Sequence, residues 1–148
     1  MSYIKHFVYR KNYDRVVSSI ITPAGIRQAS ILSKDSSINE VSALWDTGAT
    51  HSVIQPGLAR KLNLIPIDKA TVCGINSCEV VNVYWIDICL PNNVSFENVA
   101  ISESDFSGGD ILIGMDIIQK GDFVISNAQG KTHFSFRIPS HTQPIYID

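Results

Sequence analysis

The chain has 148 residues, of which 45% are hydrophobic and 18% charged, and its formal net charge is −2 at pH 7. This size and composition are those of an ordinary globular protein of one domain, and they exclude a disordered or fibrous chain. Lysine and arginine are scattered along the sequence, so we expect no nucleic-acid partner. No apolar stretch approaches the roughly 18 residues of a membrane span, and the N-terminus lacks the apolar region of a signal peptide. We therefore expect a cytoplasmic protein without a membrane partner.

The predicted elements are mostly strands. Short β-rich runs recur between turn-forming residues, a spacing typical of an all-β barrel or sandwich. In chain order, the predicted strands are Ile4–Tyr9, Val16–Thr22, Ile26–Leu32, Val41–Trp45, Val80–Leu90, Val94–Ile101, Ile111–Ile113, Phe123–Ser126 and Thr132–Ile138. The turns between them are predicted at Pro23–Gly25, Pro91–Asn93, Ser107–Gly109 and Asn127–Gly130.

Two short helices interrupt the strands. The first is predicted to begin at Pro56, because proline suits the first helical position, where its missing N–H would be unpaired anyway. The second is predicted over about 115–120 and ends at Gly121, a favourable residue just after a helix. Near the end of the chain, Thr132, Phe134 and Phe136 alternate with polar residues, which predicts a hairpin strand with one buried aromatic face.

The most specific feature is the segment Asp46-Thr47-Gly48-Ala49-Thr50, which follows the apolar run Val41–Trp45 directly. A carboxylate at the end of a core strand needs hydrogen-bond donors or a shared proton. Thr47 and the amides around Gly48 are candidate donors. The triplet alone is a weak signal, since Asp46 in a plain structural β domain would simply cap a turn.

Two further motifs make the signal specific. Ile111-Leu112-Ile113-Gly114 ends 66 residues after Gly48, and between them Val72-Cys73-Gly74-Ile75-Asn76 has the glycine of a hairpin tip. In this order the motifs resemble those of retroviral-type (retropepsin-like) aspartic proteases, over residues of about 38 to 138. The resemblance implies an all-β fold, a closed barrel-like acid protease lobe with one or two short helices. It implies one domain over 1–148, in which 1–37 and 139–148 are extensions or dimer-interface strands.

Asp46 supplies only half of the catalytic site that such an enzyme needs. No other aspartate of the chain lies in an Asp-Thr-Gly or Asp-Ser-Gly triplet. Two nearby carboxyls can share one proton, so that one activates a water while the other stays protonated. We therefore expect a homodimer in which two copies of Asp46 meet at a two-fold axis. The function implied is an aspartic endopeptidase that acts on protein or peptide substrates, with activity rising from neutral toward mildly acidic pH. The alternative is a catalytically inactive, protease-fold module that binds peptides or acts as a scaffold.

The resemblance also assigns roles to residues. Asp46, Thr47 and Gly48 are the expected catalytic triplet, with Thr47 hydrogen-bonding across the dimer axis. The expected flap extends from Val72 to Glu79 and closes over an extended substrate. Substrate-binding positions are expected at Ala49, Thr50, Val72, Cys73, Gly74, Ile75, Asn76 and Gly114. No metal and no cofactor are implied.

The cysteines and the C-terminus leave alternatives open. The three cysteines, Cys73, Cys78 and Cys89, fit no zinc-binding spacing, and we expect them to be reduced and structural. A different interpretation is that Cys73 and Cys78 lock the flap tip by reversible oxidation. The tail segment Ile145–Ile147 either adds a strand to the dimer interface or frays.

Overall fold

The computed structural model describes residues 7–34 and 36–141, and ten strands and two short helices lie within them. The strands are β1 (Phe7–Asn12), β2 (Ile20–Gln28), β3 (Asn39–Trp45), β4 (Val53–Ile54), β5 (Pro66–Cys73), β6 (Cys78–Cys89), β7 (Ser95–Glu103), β8 (Ile111–Ile113), β9 (Asp122–Ser126) and β10 (His133–Ile138). The helices are α1 (Pro56–Lys61) and α2 (Met115–Ile118), and a 3-10 turn covers Ala128–Gly130. No helix of the described part of the chain is long and apolar enough to cross a membrane.

Six strands form a closed barrel in the order β2-β3-β8-β4-β7-β6. The barrel closes because β2 also pairs with β6, from Gly25 opposite Cys89 to Gln28 opposite Ile86. β5 pairs with β6 outside this ring and forms a long hairpin with it. The expected fold class, an all-β closed barrel with short helices, is confirmed.

A second sheet, in the order β1-β10-β9, packs its aromatic face against the barrel. Phe134 and Phe136 of β10 are each 1% exposed, and their ring centroids lie 5.0 and 5.2 Å from that of Trp45. The predicted hairpin and its buried alternate positions are thus confirmed. The same contacts fix the last residue of β3, directly before Asp46.

The predicted turn at Pro23–Gly25 is wrong, because β2 continues through it as one strand. Pro23 is opposite Ser42 of β3, whereas pairing with β6 begins only at Gly25. Proline lacks a backbone donor, so it is tolerated where a strand has a neighbour on one side only. At Gly25 the absence of a side chain leaves room for Ile38, since a Cβ there would lie 2.5 Å from the Ile38 Cγ2 atom.

One strand is not predicted from the sequence, and two predicted segments reach outside the described residues. The first strand of the long hairpin, β5, was missed, because it lies outside the barrel and alternates polar and half-buried residues without a clear apolar face. The predicted strand from Ile4 begins outside the described residues, and β1 extends to Asn12. The segment Ile145–Ile147 also lies outside the described residues.

Candidate active site

Asp46 emerges from the barrel immediately after an anchored tryptophan. Trp45 is 5% exposed, and its indole Nε1–H donates a 2.9 Å hydrogen bond to the Thr22 hydroxyl, which is itself buried. The Asp46 N–H then donates to the Ile113 carbonyl at 2.9 Å. The backbone that leads into Asp46 is therefore fixed, while the Asp46 side chain is half-buried.

Backbone N–H groups of the turn after Asp46 hold this residue in place. The Gly48 N–H donates to Asp46 Oδ1 at 2.8 Å, and the Ala49 N–H donates to the Asp46 carbonyl at 3.3 Å. A Cβ on Gly48 would lie 3.1 Å from Asp46 Oδ1, so a side chain there would crowd the carboxylate. Thr47 is exposed, and its hydroxyl makes no hydrogen bond within the described part of the single chain. One carboxylate oxygen and one hydroxyl of the triplet thus remain available to other molecules.

The second motif brings Gly114 against the same turn. β8 pairs in parallel with β3 and antiparallel with β4, so it lies between the strand that leads to Asp46 and the strand that leaves its loop. A Cβ on Gly114 would lie 2.8 Å from both the Ala49 carbonyl oxygen and the His51 carbonyl carbon. Glycine is required at this position because those neighbours are backbone atoms that cannot rotate away.

A polar network that the sequence does not predict connects the two motifs. The buried Ser52 hydroxyl donates to Asp116 Oδ1 at 2.7 Å and accepts a 3.1 Å hydrogen bond from the Gly114 N–H. Asp116 Oδ2 accepts from the Ser52 N–H at 3.0 Å, and the Asp116 N–H donates to the Thr50 carbonyl at 3.2 Å. Asp116 therefore holds the segment that follows the Asp46 turn. The only sequence signal was a serine and an aspartate close to the two motifs.

The expected flap is a two-stranded hairpin formed by β5 and β6. Its ladder ends at the pair Cys73–Cys78, and the Gly74 N–H donates to the Ser77 carbonyl across the tip at 2.9 Å. Cys73 and Cys78 are joined by a disulfide, whereas Cys89 is free. The expectation that these cysteines are reduced is therefore wrong for this pair. The register of the hairpin, which brings them opposite each other, is the physical reason.

A cleft of about 370 Å³ separates the hairpin from the end of β7 and the two residues that follow it. It is lined by Val72, Cys73, Gly74, Ser77, Glu79, Val81, Glu103, Ser104 and Asp105. Ile75 and Asn76, which were expected to bind substrate, do not line it but lie at the exposed tip. The structure thus brings Asp46–Thr50 and Gly114 together in one loop cluster. It places Val72, Cys73 and Gly74 in a second region, at the hairpin.

The wall of this cleft opposite the hairpin is hydrogen-bonded to β4, the strand that follows the Asp46 loop. The Ser104 N–H donates to the Ile54 carbonyl at 3.1 Å, and the Gln55 N–H donates to the Asp110 carbonyl at 3.1 Å. The Tyr84 hydroxyl donates a short hydrogen bond to Glu103. Burial, and then this bond to a carboxylate, raise the pKa of Tyr84 to about 12. Tyr84 is therefore a neutral donor at ordinary pH.

The barrel, the Asp-Thr-Gly turn and the glycine strand behind it define one lobe of an aspartic protease. A sequence model of the family described as "gag-polyprotein putative aspartyl protease" matches residues 35–120, more than half of the chain. The chain belongs to this family of retropepsin-like aspartic proteases.

One solved structure agrees on the fold. A retropepsin-like aspartic protease from Rickettsia conorii is similar with a TM-score of 0.55 and 13% identity, over 93% of this chain and 98% of that chain. The simian foamy virus protease is similar with a TM-score of 0.44 and 16% identity, over 66% of this chain and 92% of that chain. No curated protein sequence matches the chain.

Proposed function

We propose that the protein is an aspartic endopeptidase that hydrolyses peptide bonds with a water activated by two Asp46 carboxyls, one from each chain of a homodimer. The observation that carries the proposal is the half-site itself. Asp46 is fixed by the Ile113 carbonyl and by the Gly48 amide, yet no second carboxyl group is hydrogen-bonded to it within the described residues. A second copy related by a two-fold axis supplies that group without any further catalytic residue.

The chemistry follows from two carboxyls that share one proton. The ionised Asp46 removes a proton from the water, whose oxygen attacks the scissile carbonyl carbon. The protonated Asp46 of the other chain stabilises the charge that develops on the carbonyl oxygen. A proton then passes to the leaving nitrogen, the C–N bond breaks, and an acid and an amine are released. Each cycle consumes one water and leaves one proton on the pair.

The surrounding groups support this arrangement. The Thr47 hydroxyl is exposed next to Asp46 and is available for a hydrogen bond across the dimer axis. The long hairpin extends a four-residue tip, 74–77, beyond the last ladder pair, as a cover for an extended peptide requires. The cleft behind the hairpin provides one wall for substrate side chains.

The test is cleavage of a proteome-derived peptide library, followed by mass spectrometry, for the native chain and for Asp46→Asn. The asparagine keeps an oxygen that accepts the Gly48 N–H, so the turn is preserved while the acid is lost. We expect cleavage that falls by about 10²–10⁴-fold in the variant. A native protein that binds peptides with the same affinity as the variant, and cleaves none, would instead favour the inactive peptide-binding module.

A further inference from the structure

The tip of the β5–β6 hairpin is closed by a disulfide whose position follows from the ladder. Cys73 and Cys78 are opposite each other with a Cα–Cα distance of 4.0 Å, and the next pair, Gly74 and Ser77, is hydrogen-bonded. Bonded and non-bonded pairs alternate along an antiparallel ladder, and side chains are closer at the non-bonded pairs. The cysteines therefore occupy the kind of pair in which sulfur atoms meet without rearrangement of the backbone.

Few other interactions hold this tip in place. Every residue from Cys73 to Val80 is exposed, and Ile75 is fully exposed. Beyond the ladder, the bond from the Gly74 N–H to the Ser77 carbonyl is the one backbone hydrogen bond across the turn among the described residues. Segments with few buried contacts open locally at low free-energy cost. Reduction of the disulfide would therefore release the tip while the barrel below stays folded.

The pair is exposed to small redox reagents and is isolated from the third cysteine. Both Cys73 and Cys78 are exposed, which is the condition for rapid thiol–disulfide exchange. Cys89 lies at the other end of β6, roughly 35 Å from Cys78 at about 3.3 Å per residue. Its sulfur accepts a hydrogen bond from the Ser95 hydroxyl at 3.3 Å. Exchange within one chain is thus confined to the tip pair.

We propose that Cys73 and Cys78 form a reversible redox site whose oxidation orders the hairpin tip and strengthens peptide binding. The statement about binding rests on the proposed function. Cys73 and Gly74 line the cleft between the hairpin and the segment Glu103–Asp105, so the order of the tip determines one wall of that cleft. In the reduced protein, a bound peptide would have to order the tip as well, and this weakens binding.

The oxidant is a low-molecular-weight disulfide, such as oxidised glutathione. The thiolate of one cysteine attacks this disulfide, which forms a mixed disulfide and releases one small thiol. The thiolate of the other cysteine then displaces the second small thiol, and the bond between Cys73 and Cys78 forms. Two protein thiols are oxidised, two small thiols are produced, and the two protons pass to these thiols. A small dithiol reverses the reaction.

The experiment compares the full chain in oxidising and in reducing glutathione buffers. Mass spectrometry after alkylation counts free thiols, with one expected in the oxidised protein and three in the reduced protein. Amide hydrogen exchange over 72–80 is expected to accelerate at least about tenfold on reduction. On reduction, the KM for a cleaved peptide is expected to rise about tenfold, with little change in kcat. This is the effect of the conformational entropy lost when binding orders the backbone of about one more residue.

The controls separate this inference from the proposed function. The double variant C73S/C78S should behave as the reduced protein in both buffers, while Cys89→Ser should keep the full redox response. Unchanged hydrogen exchange over 72–80 in the two buffers would overturn the redox site. Cleavage with the same KM in both states would overturn its effect on binding, while the proposed function stands. A normal redox response without cleavage in either state would refute the proposed function and leave the redox site standing.

Discussion

Replacing Gly114 with alanine tests the packing on which the candidate site depends. The added Cβ would lie 2.8 Å from the Ala49 carbonyl oxygen, 2.8 Å from the His51 carbonyl carbon and 2.9 Å from the His51 carbonyl oxygen. These atoms cannot move alone, because the Ala49 carbonyl also accepts the Met115 N–H at 2.8 Å. The strand or the Asp46 loop must therefore shift as a unit.

The magnitude follows from two contributions. Overpacking of a closely packed site costs about 1–3 kcal/mol. Lengthening one or two of the loop's hydrogen bonds, including the one from the Gly114 N–H to the Ser52 hydroxyl, adds about 1–2 kcal/mol. We expect the free energy of unfolding to fall by about 2–5 kcal/mol. A displacement of Asp46 by about 1 Å would also lower kcat/KM by about 10²-fold.

The assay is urea unfolding followed by tryptophan fluorescence at one fixed protein concentration, since the stability of the proposed dimer would depend on concentration. With a slope of about 2 kcal/mol/M, in the middle of the usual range, the midpoint should fall by about 1–2.5 M. The matched control is Gly57→Ala in α1, where a Cβ would meet nothing within 4 Å. This change should leave the urea midpoint equal or slightly higher, because it should raise the free energy of unfolding by at most about 1 kcal/mol. A Gly114→Ala midpoint equal to that of the native chain would refute the packing argument.

Three further outcomes are expected. Ser52→Ala removes a hydrogen-bond partner from Asp116 and from the Gly114 N–H, so the free energy of unfolding measured in urea should fall by about 1–3 kcal/mol. In a chain that already carries Asp116→Asn, the same change should cost much less. Additive losses would contradict the network. Burial disfavours the charge on Asp122, but the His141 N–H and Arg137 outweigh it and lower the pKa of this carboxyl. After solvent screening, the ionised Asp122 contributes about 1 kcal/mol to the free energy of unfolding. Because its pKa is lowered in the folded protein, this contribution is present above about pH 4 and is lost as the pH falls further. Asp122→Asn should therefore approach native stability in acid, and a stability difference that does not change with pH would contradict this. In the proposed mechanism two carboxyls share one proton, so kcat/KM should rise from neutral toward mildly acidic pH, whereas a flat profile between about pH 4 and 8 would count against the mechanism.

The parts of the fold that the sequence predicted are those with local causes. Pro56 specifies a helix start, and α1 begins there. The alternation of Thr132, Phe134 and Phe136 specifies a buried face, and all three are 1% exposed. The run Ile111–Ile113 is short, continuous and apolar, and β8 has the same bounds because both of its faces are buried.

The parts that were missed have causes distant in sequence. Whether Pro23 breaks a strand depends on which strands lie beside it, and the residues next to Pro23 do not encode this. Ser52 and Asp116 are 64 positions apart and meet only because β4 and β8 pair. The disulfide depends on hairpin register, and one residue of slip would separate Cys73 from Cys78.

The central claim is that each chain carries half of one catalytic site, and a subunit-mixing experiment tests it most directly. Native chain at a fixed amount is allowed to exchange subunits with Asp46→Asn chain, well above the dimer dissociation constant, and peptide cleavage is measured. If two Asp46 carboxyls are needed, mixed dimers are inactive. Activity should then fall to about one half at equal amounts and to about one tenth at a ninefold excess of the variant. Activity that stays constant across the series would show that one chain suffices and would contradict the account.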